Sequence, residues 1–163
     1  MQSRPLTFVT PQCEADYTLL RELLREYAAT IPVDLNGQAF EDELRDLPGP
    51  FAEPRGTLVL AWSGNTLVGC CLLRPLDNSD YPNTCEMKHL FIRPAFRALG
   101  LGRRLAEHIL EMAQVRAYDS LLLDTHVDME AARALYEDLG FVEIPPYHCS
   151  PFAGAHYLRA RLA

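Results

Sequence analysis

One short stretch restricts the fold and the chemistry of this chain more than any other. Residues 92–105 (IRPAFRALGLGRRL) join a predicted strand to a predicted helix that begins near Gly100. Gly100 and Gly102 let the backbone approach a ligand closely, and the first N–H groups of the helix have no partner within it. With the helix dipole these groups form an anion site, so the stretch predicts binding of a phosphate or pyrophosphate. Three arginines add positive charge to the same site: Arg97, Arg103 and Arg104.

Two common phosphate-binding loops do not match this stretch. The P-loop pattern G-x-x-x-x-G-K-[ST] is absent, and the dinucleotide pattern G-x-G-x-x-G would need glycine at position 105, which is Leu105. The alternative interpretation is a glycine-rich turn with a solvated arginine cluster. The net charge argues against nucleic acid as a partner, because the chain has 15 basic and 22 acidic residues and a net charge of −7. Residues 88–104, in contrast, contain no acidic residue. The positive charge is therefore local to the loop.

Hydrophobic periodicity and turn signals predict the elements in the order β-α-α-β-β-β-α-β-α-β-β. Thr10 and Pro11 predict the start of the first helix, as N-cap and first helical residue. The predicted strands are 6–9, 57–62, 66–73, 84–92, 121–123, 141–144 and 156–162, and the predicted helices run to about residue 30, from 40 to 47, from about 100 to 117 and from 131 to 139. With no repeat or long linker, residues 1–163 are expected to form a single α/β domain.

The cysteines, histidines and apolar runs argue against several classes of protein. Five cysteines without C-x-x-C spacing predict neither a disulfide framework nor a zinc site, and the five histidines have no metal-ligand spacing, so no metal is expected. His108 is expected on the helix surface, while His126 and His148 are weaker candidates for lining a cleft. No 18-residue apolar run or signal-peptide pattern is present, so we expect no membrane association and a cytoplasmic protein.

Two motifs in the expected order resemble those of the GNAT superfamily of N-acetyltransferases. They are Arg97-x-x-Gly100-x-Gly102 after Ile92-x-Pro94, and Ala132-x-x-Leu135-Tyr136-Glu137-x-x-Gly140-Phe141. The chain departs from the family in having Ala98 where glycine is frequent and Met129 where an asparagine often contacts the cofactor. Its C-terminal part resembles an uncharacterised bacterial branch of the family.

The resemblance implies a mixed, mostly antiparallel sheet with flanking helices. It also implies transfer of an acetyl group from acetyl-CoA to a primary amine of a small molecule or peptide, by direct attack on the thioester. Backbone N–H groups of residues 90–92 would face the thioester oxygen. The residues implied to hold acetyl-CoA are Leu90, Phe91, Ile92, Arg97, Ala98, Leu99, Gly100, Leu101, Gly102 and Arg103.

The implied reaction needs a base and an acid. An alkyl amine with a pKa of about 10.4 is protonated at neutral pH and must lose a proton before it can attack. Glu86, on the strand 84–92, matches the base of histone-type members, and Asp124 matches that of members that acetylate protein N-termini. Tyr136 matches the acid that protonates the leaving thiolate. The alternatives are carboxylates paired with Lys88 or an arginine, and a tyrosine that packs its helix.

Acidic residues in the first half of the chain are candidates for the wall of the site that binds the amine acceptor. They are Asp34, Glu41, Asp42, Glu43 and Asp46, and they would attract a cationic amine or form a solvated helix face. The competing function is a non-catalytic acyl-CoA-binding or regulatory module of the same fold. The acceptor, the choice between Glu86 and Asp124, and the oligomeric state, a homodimer among the options, are left open.

Overall fold

A computed structural model of the chain describes residues 5–31, 38–125, 130–148 and 154–162. Its strands are β1 Leu6–Val9, β2 Thr57–Ser63, β3 Thr66–Pro75, β4 Thr84–Ile92, β5 Ser120–Thr125, β6 Val142–Ile144 and β7 His156–Arg161. Its helices are α1 Glu14–Thr30, α2 Gln38–Arg45, α3 Leu101–Val115 and α4 Glu130–Asp138, with short 3-10 helices at Gly49–Phe51 and Pro94–Leu99. The predicted order of elements is confirmed.

The strands form one seven-stranded sheet in the order β1-β2-β3-β4-β5-β7-β6. Every neighbouring pair is antiparallel except β4 and β5, which are parallel and are joined by the crossover through α3. The predicted mixed, mostly antiparallel sheet is therefore confirmed.

Each face of the sheet is covered by helices. Leu20, Leu24 and Leu44 of α1 and α2 pack against one face, and Leu105 and Ile109 of α3 pack against the other. All five side chains are fully buried, and burying a leucine or isoleucine contributes about 1.5–3 kcal/mol. None of the described helices is long and apolar enough to cross a membrane.

The predicted start of α1 is wrong by several residues. The helix begins at Glu14 with Cys13 as N-cap, and Cys13 makes no side-chain cap. The Thr10 hydroxyl instead accepts a hydrogen bond from the Gln12 side chain at 2.9 Å, while the Gln12 N–H donates to the Asp16 carboxylate at 2.8 Å. These local bonds hold residues 10–12 outside the helix.

Strand β4 carries the two irregularities that create the site. Its register with β5 covers Thr84–Glu86 opposite Ser120–Leu122, after which the strands diverge. Its pairing with β3 shifts between Leu72, opposite Lys88, and Cys70, opposite Phe91, so β4 has one extra residue there. His89 lies in this β-bulge with φ of +57°. The bulge and the divergence open a cleft in an otherwise continuous sheet.

Candidate active site

A cavity of about 340 Å³ occupies the gap between the diverging strands. It is lined by Met87 and residues 89–92 of β4, by Leu123, Asp124 and Thr125 of β5, by Tyr27 and Thr30 of α1, by Arg97 and Gly102 of the glycine loop, and by Ala132 and Tyr136 of α4. Beyond Glu86 the described pairing leaves the β5-facing edge of β4 free along this gap. An extended ligand can therefore hydrogen-bond to that edge as an added strand does.

The glycine loop lies at one end of the cavity. Gly100 is the N-cap of α3 with φ of +70°, a left-handed conformation that favours glycine, and a Cβ there would meet nothing within 4 Å. A Cβ on Gly102 would meet only the Ile92 side chain, at 3.9 Å. The space above the first turn of α3 is therefore open to an anion.

Two of the three arginines of the loop, Arg97 and Arg103, lie in different surroundings. Arg97 lines the cavity, where its Nε donates to the Ile92 carbonyl at 2.9 Å and its guanidinium lies 5.7 Å from the Phe91 ring centre. Arg103 is bound to two carboxylates, those of Glu107 and Asp138. Arg97 is thus placed on the cavity, whereas Arg103 would have to leave its acidic partners to reach an anion.

The other residues implied to hold the cofactor differ in where they lie and in how exposed they are. Leu90 and Ile92 line the cavity and pack against the α3 face of the core, and Leu101 is buried in that core. Leu99 is 66% exposed. The side chain of Ala98 lies outside the described part of the structure.

Thr125 provides a test of whether the cleft suits a polar, extended ligand. The residue is buried and lines the cavity, and its hydroxyl has no hydrogen-bond partner within the described residues. Leaving a buried hydroxyl unpaired costs about 1–3 kcal/mol. An amide-bearing ligand would supply the missing partner.

Tyr136 closes the far wall of the cleft from α4. It is 5% exposed and contacts Phe141 edge to face, with ring centres 5.5 Å apart. Its hydroxyl has no hydrogen-bond partner within the described ranges. Burial raises the pKa of the Tyr136 phenol well above its ordinary value, so the group stays protonated at neutral pH.

Glu86 lies beneath the cleft and is 1% exposed. Its Oε1 accepts a hydrogen bond from Arg74 Nε at 2.8 Å and lies 2.7 Å from Arg74 Nη2 in an ion pair, and its Oε2 accepts a hydrogen bond from the Tyr147 hydroxyl at 2.8 Å. Arg74 stands directly opposite Glu86 in the β3–β4 register. Both carboxylate oxygens are therefore engaged.

Asp124 has a more open environment. It lines the cavity, its side chain is 21% exposed, and its Oδ2 lies 3.4 Å from His148 Nε2. The same His148 nitrogen is 3.9 Å from Glu86 Oε2. One ligand atom from each of Glu86, Asp124 and His148 lies within 4.8 Å of the others, as metal ligands can, but Glu86 is already bound by Arg74 and Tyr147. Glu86, Asp124 and His148 thus form a polar cluster in which Glu86 is buried, Asp124 is partly exposed and His148 is exposed.

A second cavity of about 400 Å³ adjoins this cluster from the other side. Its lining comprises Pro50, Arg74, Pro75, Leu76, Asp77, Asn78, Ser79, Lys88, Tyr147 and His148. His148 thus lines the second cavity and contacts Asp124, which lines the first.

Comparison with known proteins places this geometry in a family. The Acetyltransferase (GNAT) family matches residues 18–141, which cover both motifs and most of the sheet. The chain belongs to the GNAT family. An uncharacterized N-acetyltransferase of Schizosaccharomyces pombe is 31% identical over 154 residues, covering 94% of this chain and 91% of its own.

Solved GNAT structures share the fold. A GNAT acetyltransferase from Staphylococcus aureus has a TM-score of 0.78 at 20% identity, covering 98% of this chain and 100% of its own. The Salmonella typhimurium protein yncA, solved with its cofactor acetyl-CoA, has a TM-score of 0.74 at 15% identity and covers 98% of this chain and 95% of its own.

The acidic helix of this GNAT protein is more neutral than its sequence indicates. Glu41 pairs with Arg25, Asp42 and Asp46 pair with Arg45, and Glu43 Oε1 is 2.9 Å from His89 Nε2. Four acids of the predicted acceptor wall are therefore partly neutralised by pairing. Three other residues singled out from the sequence lie outside the described part: Asp34, His126 and Met129.

Sequence reasoning missed several residues that the GNAT site brings together. Arg74 and Tyr147 bind Glu86 from positions 12 and 61 residues away, and no local pattern marks those contacts. His108, expected on the surface, is instead partly buried and stacks on Phe8 with ring centres 4.6 Å apart. Lys88 could have been singled out from the sequence, because it is the single lysine of the chain.

Proposed function

We propose that this GNAT protein transfers the acetyl group of acetyl-CoA to a primary amine, within a single domain. The observation that carries the proposal is the cleft between β4 and β5, which runs from the glycine loop to Tyr136 and Asp124. The fold is shared with yncA, a protein solved with its cofactor acetyl-CoA, and this supports acetyl-CoA as the ligand. Acetyl-CoA would supply an activated thioester.

The residues of the cleft suit the parts of that ligand. Arg97, with the open first turn of α3 at Gly100 and Gly102, would hold the pyrophosphate through a cation and free backbone N–H groups. The free edge of β4 and the unpaired Thr125 hydroxyl would bind the amides of the pantetheine arm. A backbone N–H of residues 90–92 would stabilise negative charge on the thioester oxygen.

The geometry favours Asp124 over Glu86 as the base. The Glu86 carboxylate is paired with Arg74 and accepts hydrogen bonds from Arg74 Nε and the Tyr147 hydroxyl, so neither of its oxygens is free to accept a substrate proton. Asp124 lines the cleft, is partly exposed and contacts only the exposed His148 in the polar cluster. Asp124 would therefore remove the amine proton, and Glu86 would hold Arg74 and Tyr147 in place.

Tyr136 would act as the acid. Tyr136 lines the cleft, and burial raises the pKa of its phenol so that the group is protonated at neutral pH. The departing thiolate, whose thiol has a pKa of about 8.5, would accept that proton.

The experiment is release of free thiol from acetyl-CoA, measured with and without a panel of amines. We expect amine-dependent release that saturates in both substrates. Calorimetric binding of acetyl-CoA without accelerated release for any amine would instead support the non-catalytic acyl-CoA-binding module. Absence of acetyl-CoA binding would refute both functions.

A further inference from the structure

We propose that the amine acceptor also carries a carboxylate, which binds Lys88 and Arg74 in the second cavity. The inference rests on the proposed acetyl transfer and names the class of acceptor. It would be a small amino acid, with its amine toward Asp124 and its carboxylate toward the β3–β4 side of the cavity.

The first supporting observation concerns the surroundings of Lys88. It is the only lysine among 15 basic residues, and it lines the second cavity. Within the described ranges, no carboxylate lies within 4.0 Å of its ammonium group, whereas nine of the described arginines form ion pairs with carboxylates. A cation without a partner on a concave surface is suited to an anionic ligand.

The second supporting observation concerns the donors of Arg74. Its Nε and Nη2 are bound to Glu86, and its Nη1 has no hydrogen-bond partner in the described part of the chain. The side chain is 31% exposed and lines the same cavity as Lys88. Its fixed guanidinium can thus present one further donor to a carboxylate.

The acids near this cavity already have partners. Asp77 lines it, but its two oxygens accept from Arg55 at 2.6 and 3.0 Å. Burial opposes ionisation of Glu43, but its hydrogen bond with His89, together with the charges of His89, Lys88 and Arg74, lowers the pKa of the Glu43 carboxyl. A ligand carboxylate would therefore meet Lys88 with the nearby acids already paired.

The shape of the site orients the ligand. His148 and Tyr147 border the cavity, and His148 contacts Asp124 at the boundary with the acetyl-CoA cleft. Arg74 lies opposite Glu86 in the β3–β4 register, and Lys88 lies two residues beyond Glu86 on β4. A cavity of about 400 Å³ is of the size that holds small molecules, so a single amino acid fits the chemistry and the volume.

The kinetic test compares L-alanine, β-alanine and 4-aminobutyrate with their carboxamides, which keep the amine and lose the negative charge. We expect kcat/KM for the best acid to exceed that of its amide by roughly 10- to 100-fold, the effect of a hydrogen bond to a charged group. Lys88→Gln should reduce that ratio toward one, and Lys88→Arg should restore part of it. Arg45→Gln removes an equal charge from an exposed site on α2 and should leave the ratio unchanged.

A binding measurement tests the inference without turnover. Reductive methylation with ¹³C-formaldehyde labels the N-terminal amine and Lys88, the single lysine, and keeps their charges, so the NMR signal that is missing in Lys88→Gln reports ligands at Lys88 directly. In the CoA-bound protein, we expect the acids and not the amides to shift the Lys88 signal. Acid-dependent shifts without turnover would keep the carboxylate site and refute acetyl transfer. Turnover of amides equal to that of acids, or an unmoved Lys88 signal, would overturn the carboxylate site and leave acetyl transfer standing.

Discussion

Replacing Glu86 with glutamine separates structural support from catalysis in the polar cluster. Glu86→Gln keeps the shape of the side chain but removes its charge and one of its two acceptor oxygens. Arg74 and Tyr147 then compete for a single carbonyl oxygen, and one of them loses a hydrogen bond to a nearly inaccessible partner. The effect on stability should therefore exceed the effect on chemistry.

The magnitude follows from the burial of the partners. A hydrogen bond to a charged group contributes about 1.5–3 kcal/mol, and the partial exposure of Arg74 lets water replace some of it, so we expect a loss of about 2 kcal/mol. In a chain of this length that corresponds to a fall in Tm of about 4–8 °C. In a double-mutant cycle with Arg74→Gln, the two losses should not add, with a coupling of at least about 0.5 kcal/mol.

The assay pairs thermal unfolding with thiol release for Glu86→Gln and Asp124→Asn. Asp124→Asn should reduce kcat by about 10²–10⁴-fold and leave Tm nearly unchanged, because its side chain is partly exposed and contacts His148 only at 3.4 Å. Glu86→Gln should reduce kcat less than about tenfold below its Tm, because the base is retained. The opposite pattern, an unaltered Tm with a large loss of kcat in Glu86→Gln, would refute the assignment of Asp124 and make Glu86 the base.

Three further predictions concern the acid, the glycine loop and the pH dependence of stability. Tyr136→Phe should lower kcat by about 10²-fold or more at unchanged Tm and acetyl-CoA affinity, and undiminished turnover would exclude the hydroxyl as the acid. Gly100→Ala should cost about 1–2 kcal/mol because its φ is +70°, whereas Gly102→Ala should keep Tm but weaken acetyl-CoA binding in calorimetry; an unchanged Kd would contradict the loop assignment. Burial lowers the pKa of His108 below 6.5, so the unfolded chain takes up a proton that the folded chain resists as the pH falls through 6.5. The Tm of the wild type should then fall more between pH 8 and 5.5 than that of His108→Gln, and equal falls would show that His108 does not contribute.

Local patterns in the sequence determined the elements and the two motifs. Period-two and helical repeats, with glycine and proline at their ends, fix strands and helices because they depend on neighbours a few residues apart. Strand β4 was predicted with the bounds that the structure has, Thr84–Ile92, whereas the start of α1 was not, since side-chain bonds of Thr10 and Gln12 compete with the helix. The sequence likewise predicted the glycine loop as an anion site, because backbone freedom and the end of a helix are local properties.

The tertiary structure decided what each charged side chain does. The pairing of Glu86 with Arg74 depends on the register of β3 and β4, and its bond from Tyr147 depends on a loop 61 residues away. The His89 bulge and the divergence of β4 from β5 arise from pairing across the sheet, and they create the cleft. Sequence therefore identified Glu86 and Asp124 as candidates, but only their burial and partners distinguish them, because the reactivity of a carboxylate depends on what surrounds it in space.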